Sequence, residues 1–305
     1  DTAVVMQEAL EYILGLYNGK PPEGSIVTGI KGLDNILTAI YPTDFVIIGA
    51  RPSMGKTAFA ANIVENVALK QGKYVVLYSL EMSAKQIGAR MIFSQSGISS
   101  EQVKRGELGE AEFSLLEGAM AKLQKSPILI DDRAPLDVAN IISRSRKLKA
   151  ERNLGLVVID YLQLMTGVRG TDGRQQEVSD ISRALKLLAK ELNVPIIALS
   201  QLNRSLEMRN DKRPQMSDLR ESGSLEQDAD IVLFLYRDDY YHPDSTEQNV
   251  TEAIVAKHRN GKLGTAKMYF SKDTTHFYDL SSDDSQPRHE SCEAKPKTET
   301  KPSQP

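Results

Sequence analysis

Tryptophan is absent from this chain, and cysteine occurs once and histidine four times in 305 residues. A single thiol cannot form an internal disulfide, and so few soft ligands leave no spacing for a structural zinc site. Stability must therefore come from an apolar core, and a reducing compartment is expected. No run of 18 apolar residues occurs and no signal-peptide pattern opens these residues, so no helical membrane anchor is expected. A formal net charge of −3 supplies no bulk excess of basic residues, so any grip on nucleic acid must come from local patches. Position 1 is Asp1 rather than Met, which raises the expectation of a fragment or a processed chain. What is present is 40% apolar, enough for one large α/β domain or two small ones.

Residues 2–18 have Met6, Leu10, Ile13, Leu14 and Tyr17 at helical spacing, with Gly19 and Pro21-Pro22 as a stop. This amphipathic helix either folds back on its own domain or docks on a neighbouring copy. From Asp44 the pattern alternates. Short apolar runs at 44–50, 73–80, 127–131, 155–160 and 194–200 are separated by helical stretches, notably 57–70, 83–95, 135–152 and 175–192. That alternation predicts an α/β fold with a mostly parallel, doubly wound sheet covered on both faces. After Asp230 helices are not expected. Strands are predicted at 230–236, 252–258 and 265–270, the last two joined by a tight hairpin at Asn260-Gly261. The segment from Ser281 has almost no apolar residues and reads as a disordered tail. The expected division is a helix over 1–19, one domain over 20–280 and a tail over 281–305.

The strongest chemical signal is Ala50-Arg51-Pro52-Ser53-Met54-Gly55-Lys56-Thr57, followed by Ala58, between an apolar strand and a helix. This is the context of a P-loop, G-x-x-x-x-G-K-[ST]. Gly55 lets backbone N–H groups wrap phosphates, Lys56 reaches the β- and γ-phosphates, and Thr57 holds Mg²⁺; the helix start adds its positive end. Ala50 replaces the first glycine, which restricts the backbone but removes no ligand. The same stretch contains Ser53-Met54-Gly55-Lys56, formally the S-x-x-K of serine acyl-enzymes, but that class's Lys-Thr-Gly and Ser-Asp-Asn companions are missing. Asp160, at the end of Leu156-Val157-Val158-Ile159, is placed to support the Mg²⁺ shell; the bland alternative is an aspartate capping a turn. Glu81, after the strand ending at Leu80, is a candidate general base, or else a glutamate near a helix start. Gln201 ends a strand at the same edge, where it could sense the γ-phosphate.

Taken together, the segments ARPSMGKTA at 50–58, SLEM at 79–82, VIDYLQLM at 158–165, ALSQLNR at 198–204, LRESGSLEQDADIV at 219–232 and KHRNG at 257–261 resemble the C-terminal RecA-like domain of DnaB-type replicative helicases. The likeness covers about residues 25–280, in order. It implies a RecA-like ATPase that binds ATP and Mg²⁺, with Lys56 and Thr57 on phosphate and metal, Glu81 as catalytic base and Asp160 as the Walker-B acid. Gln201 would couple the γ-phosphate to DNA-binding loops. Lys257 and Arg259 would reach the γ-phosphate of an adjacent subunit, and Arg220, Glu221 and Gly223 would hold the single-strand backbone in a ring's channel. It further implies a homo-hexamer, with the first helix as a linker packed on a neighbour, and primase and a helicase loader as partners, in bacterial or phage-infected cytoplasm. The family's helical N-terminal domain has no counterpart in these residues.

The residues themselves argue more weakly for DNA. Arg204, Arg209, Lys212, Arg213 and Arg220 lie among Glu207, Asp211 and Asp218, and a polar segment spans Gly167 to Arg174. Basic loops without stacking aromatics suit a sequence-independent grip on single-stranded phosphates, although such loops are often simply solvated. Two other functions share this core, a RecA-like recombinase and a nucleotide-gated clamp or loader.

Overall fold

The run Phe45–Ala50 (β1) is buried along its whole length, as a strand covered on both faces must be. The computed structural model describes residues 2–19, 21–133, 137–165 and 173–280, without the side chains of Glu8, Tyr12 and residues 220–223. The expected tail from Ser281 and the polar segment 167–172 lie outside the described residues.

The helices are Thr2–Tyr17 (α1), Lys31–Leu37 (α2), Lys56–Leu69 (α3), Ala84–Ser96 (α4), Ser100–Arg105 (α5), Glu110–Gln124 (α6), Val138–Arg152 (α7), Arg174–Leu192 (α8), Gly223–Asp228 (α9) and Asp238–Tyr241 (α10). The remaining strands are Tyr74–Ser79 (β2), Ile128–Asp131 (β3), Leu154–Asp160 (β4), Ile196–Gln201 (β5), Ile231–Tyr236 (β6), Val250–His258 (β7), Gly264–Ser271 (β8) and His276–Asp279 (β9). They form one nine-stranded sheet in the order β3-β2-β4-β5-β1-β6-β7-β8-β9. The strands from β3 to β6 run parallel, and β7, β8 and β9 add on antiparallel. This is the mostly parallel sheet with an antiparallel C-terminal end that the alternation predicts.

Each face of the sheet has its own core. On one, Phe59, Ile63, Val64 and Val67 of α3 pack on Val46, Ile48, Val75 and Val158. On the other, Val178, Ile181, Leu185 and Leu188 of α8 pack on Phe45, Ile47, Val157 and Ile159. The spacing of those α8 residues is one helical face, which is why α8 sits down on the sheet. Ser83 with Gln86 and Ser99 with Gln102 close capping boxes that start α4 and α5.

Three expectations need correction. Helix α10 and strand β9 both follow Asp230, and α5 and α6 fill a stretch to which the pattern assigns no element. The Asn260-Gly261 hairpin is not tight. The β7–β8 ladder begins at Val255 opposite Gly264, because Lys257 and His258 pair with β6 beyond a register shift at Val232/Leu233. Lys257 is therefore a strand residue and not part of a hairpin tip. Of the two readings left open for α1, folding back is not what is observed: Val4, Met6, Leu10 and Ile13 are each more than half exposed (55%, 58%, 56% and 58%).

Candidate active site

The carboxyl ends of the parallel strands meet at one edge of the sheet, where open α/β sheets bind ligands. Strand β1 delivers the loop 51–55 there, and α3 begins at Lys56. Ala50 is the last residue of β1, paired with Gln201 and 1% exposed. In an extended strand a Cβ meets no backbone strain, which explains why alanine is accepted in place of the motif's first glycine. Two residues turn the loop through the left-handed region, Ser53 at φ 67° and Gly55 at φ 90°. A Cβ on Gly55 would also come within 3.0 Å of the Phe277 ring, so glycine is required on both counts. Pro52 and Ser53 are exposed, while Met54 and Ala58 are buried and anchor the two sides of the loop.

The side chains converge on Asp160. Thr57 Oγ1 donates to Asp160 Oδ2 at 2.7 Å, although β5 separates their strands, because α3 crosses the sheet face toward β4. Asp160 is fully buried, and its Oδ1 has no hydrogen-bond partner among the described residues. Burial pushes its carboxyl pKa up against the opposing pull of Lys56 and the Thr57 hydrogen bond. The Lys56 ammonium stands 4.1 Å from the centre of the Tyr161 ring. Burial pulls its pKa below the ordinary lysine value, while Asp160 and Glu81 act the other way. Glu81 is exposed just beyond β2, and its field reaches both Lys56 and Asp160. An orphaned buried carboxylate oxygen beside a hydroxyl and a desolvated ammonium is costly unless a ligand completes it. A divalent cation satisfies the first, and a polyphosphate the second. One carboxylate and one hydroxyl also match how Mg²⁺ is held, by few protein oxygens together with substrate phosphates.

Gln201 ends β5 beside Ala50, and its backbone N–H donates to Gln163 Oε1 at 3.1 Å. A cavity of about 380 Å³ opens next to it, lined by Arg51, Gln163, Gln201, Arg204 and Asp218. Arg51 is buried. It donates to Leu202 O and to Glu207 Oε1, each at 2.9 Å, tying the phosphate loop to the segment after β5. Arg51 belongs to the expected phosphate loop, whereas Tyr161 and Gln163 take part in this wiring without having been singled out; their place in the segment after Asp160 was their only signal.

The other candidates are placed apart. The Lys257 ammonium donates to the carbonyls of Glu226 and Ala229 at 2.6 and 2.7 Å, at the C-terminal end of α9. Arg259 donates to Gln227 O and lies 3.3 Å from Asp230 Oδ1. Arg213 makes a two-pronged pair with Glu252 (2.9 and 2.8 Å) and lies over the Tyr236 ring. Arg204 is exposed. Arg220, Glu221 and Gly223 sit in the backbone of Met216–Ser222 and α9, with their side chains outside the described residues.

Fold and site together define a P-loop nucleotide-binding protein built on a RecA-like sheet. More narrowly, residues 25–279 match the DnaB-like helicase C terminal domain, and the chain belongs to that family. It is 48% identical over 277 residues to the replicative DNA helicase DnaB of Geobacillus stearothermophilus, covering 90% of this chain and 61% of that protein. The replicative DNA helicase DnaC of Bacillus subtilis (strain 168) matches at the same identity and coverage. The chain thus spans less than two thirds of these relatives. Among solved structures, one isolated ATPase domain superposes with a TM-score of 0.84 at 42% identity, over 90% of this chain and 99% of that one. A DnaB-like replicative helicase, solved for its interactions with primase, gives 0.82 at 41%, over 89% and 66%. A KaiC-like protein of Pyrococcus horikoshii OT3, at 17% identity and 0.57 over 84% and 99%, shares the fold alone.

Proposed function

We propose that this chain is the ATP-hydrolysing motor of a replicative DNA helicase, moving on single-stranded DNA and separating the duplex as a ring of six copies. The observation that carries the reading is the Lys56–Thr57–Asp160 cluster with its buried, unpaired carboxylate oxygen, at the start of α3. Backbone N–H groups of the loop and Lys56 hold the β- and γ-phosphates of ATP. Thr57 and Asp160 would hold Mg²⁺, which when bound neutralises charge on the phosphate oxygens. Glu81 takes a proton from the attacking water, and Gln201 senses the γ-phosphate. Lys257 and Arg259 serve the site of the next copy, with Arg259 stabilising transition-state charge. Arg204, Arg213, Arg220, Glu221 and Gly223 are assigned to contact with the strand in the channel.

The exposed apolar stripe of α1 supports its assignment over 1–19 as a linker packed on a neighbour. So does an apolar groove beside α4 and α6, lined by Phe93, Val103, Phe113 and Met120. An exposed stripe and an exposed groove in one chain supply the two halves of a contact between copies. The primase in the solved relative makes primase an expected partner, together with a helicase loader, in bacterial or phage-infected cytoplasm. Among the described residues no helix is long and apolar enough to cross a membrane.

The test is ATP-dependent unwinding of a forked duplex by the assembled protein, with Lys56→Ala as the comparison. Processive unwinding that Lys56→Ala abolishes, with an unchanged circular dichroism spectrum, supports the motor. Filament formation without unwinding would point to a recombinase. Slow turnover indifferent to single-stranded DNA would point to a nucleotide-gated clamp or loader.

A further inference from the structure

We propose that Gln163 is the positioning residue that sets Gln201 relative to the phosphate site, an inference that rests on reading Gln201 as the γ-phosphate sensor. Gln163 lies in the 3-10 turn Leu162–Leu164, three residues beyond Asp160. Its side-chain amide grips the end of β5 through both its oxygen and its nitrogen. Oε1 accepts from the Gln201 N–H at 3.1 Å, while Nε2 donates to Gln201 O at 3.2 Å and to Ser200 Oγ at 2.8 Å. This is a two-sided pairing of the kind one strand offers another. It begins where the β4–β5 ladder stops, since that ladder's last pair is Ile159 with Ala198. The side chain therefore continues the pairing beyond the point where the two backbones separate.

Both ends of this link are themselves fixed. Arg174, the first residue of α8, donates to Gln163 O at 2.7 Å and to Met165 O at 3.0 Å, holding the turn. On the far side, Ala50 pairs with Gln201 and accepts from Leu202 N at 3.1 Å. Gln201 is thus suspended between the strand that ends in Asp160 and the strand that ends in the phosphate loop. It lines the 380 Å³ cavity together with Gln163, Arg51 and Arg204. A shift of Asp160 on nucleotide turnover is passed to Gln201 through Gln163, and onward to the segment beginning at Leu202. The backbone ladder between β4 and β5 ends too early to carry it.

The test compares Gln163→Leu, Gln163→Glu, Gln201→Ala and the double variant Gln163→Leu/Gln201→Ala in the full chain. In Gln163→Leu, hydrogen–deuterium exchange at the Gln201 amide should accelerate about tenfold or more, because its acceptor is gone. Binding of a fluorescent non-hydrolysable ATP analogue should hold within about twofold, while kcat falls about 10- to 100-fold at nearly constant KM. Gln163→Glu keeps the acceptor for the Gln201 N–H and loses the donor for its carbonyl, so it should lie between wild type and Gln163→Leu. The double variant should be no slower than Gln201→Ala, since a residue acting through another adds nothing once that residue is removed. Unchanged exchange, additive losses in the double variant, or normal turnover in Gln163→Leu beside an impaired Gln201→Ala would overturn the proposal. Normal turnover in Gln201→Ala would instead remove the sensor reading, and the proposal with it. Should Gln163→Leu fail to fold, Gln163→Glu carries the same comparison of exchange and turnover.

Discussion

Two clusters of lysine or arginine beside an aspartate stand at opposite ends of completeness. Around Lys56, burial disfavours the charged form of both groups, and Asp160 keeps an oxygen with no partner among the described residues. Around Lys257 and Arg259, the cations are already engaged by the carbonyls of Glu226, Gln227 and Ala229 and by Asp230. Basic side chains at the end of α9 also suit the negative end of a helix. The first cluster is incomplete without a ligand. The second is complete within its own chain and must release those carbonyls before it can serve a neighbour. At Asp160 the unsatisfied oxygen coincides with the phosphate loop, whereas the satisfied cations mark where assembly has to compete with a contact already made.

The largest effect that would sharpen this contrast comes from Arg259→Ala. If Arg259 acts across the interface, turnover in assembled rings should drop by about 10³–10⁵-fold, the range of arginine fingers. Alone, the variant cannot separate a trans finger from a cis one. Mixing it with Lys56→Ala, with subunit exchange allowed, should restore part of the ATPase activity, because some interfaces regain an intact Lys56 opposite an intact Arg259. Confirmed co-assembly without any recovery would leave Arg259 as a partner of α9 and Asp230 within its own chain.

Glu81→Gln probes the incomplete cluster from its exposed rim. Nucleotide binding should persist while turnover slows about 10²–10⁴-fold, the usual cost of losing a general base. A loss of binding would make Glu81 a structural partner of Lys56, and near-normal turnover would place the base elsewhere.

A third cluster, buried like the first, offers a further comparison. Glu65 Oε2 accepts from Ser94 Oγ (2.9 Å) and Gln95 Nε2 (2.6 Å), Oε1 is unpartnered among the described residues, and Ser94 Oγ bonds His276 Nδ1 (2.7 Å). Burial raises Glu65 from 4.5 to about 7, against the pull of Lys122. Burial also lowers His276 from 6.5 to about 4, with help from Lys70. A raised carboxyl favours the folded state below pH 4.5, and that advantage is lost as pH rises toward 7. A lowered histidine acts the other way, its cost appearing as pH falls from 6.5 to 4. The opposing slopes keep the sum nearly level in the native chain. Glu65→Gln should therefore be more stable than wild type at pH 8, by up to about 3 kcal/mol at roughly 1.4 kcal/mol per unit, and indistinguishable from it near pH 4. Denaturant melts at both pH values decide this; a difference that does not change with pH would show that Glu65 does not titrate as its burial requires.

The smallest expected effect is that of Arg220→Ala. Affinity for single-stranded DNA should weaken about equally for all sequences, and the salt slope should fall by about one phosphate contact. Basal ATPase should remain while its stimulation by DNA declines. Unchanged affinity would remove Arg220 from the strand-binding surface and leave Arg204, exposed beside the Gln201 cavity, as the stronger contact.

The phosphate loop, the strand-end position of Asp160 and the parallel half of the sheet were legible because each is a local property. A buried strand is a short apolar run, a P-loop is one contiguous segment, and Gly55 is required by its own backbone angle. Residues whose role depends on a partner far along the chain were not legible. Gln163 is an ordinary glutamine until the fold brings Ser200 and Gln201 to it, and the partners of Arg51, itself expected in the loop, are set only where Glu207 meets it. The antiparallel edge misled for a related reason. Asn260-Gly261 has the local chemistry of a tight turn, yet pairing of Lys257 and His258 with β6 moved the turn outward and turned Lys257 onto α9. The face of α1 is also a local property, and its periodicity was plain. Whether that face is buried is decided by what packs against it, and among the described residues of this chain nothing covers it. Periodicity, backbone conformation and contiguous motifs are written residue by residue, so the order of amino acids determined them. Charge pairing, desolvation and strand register depend on surfaces brought together from distant segments, and only the tertiary structure decided those.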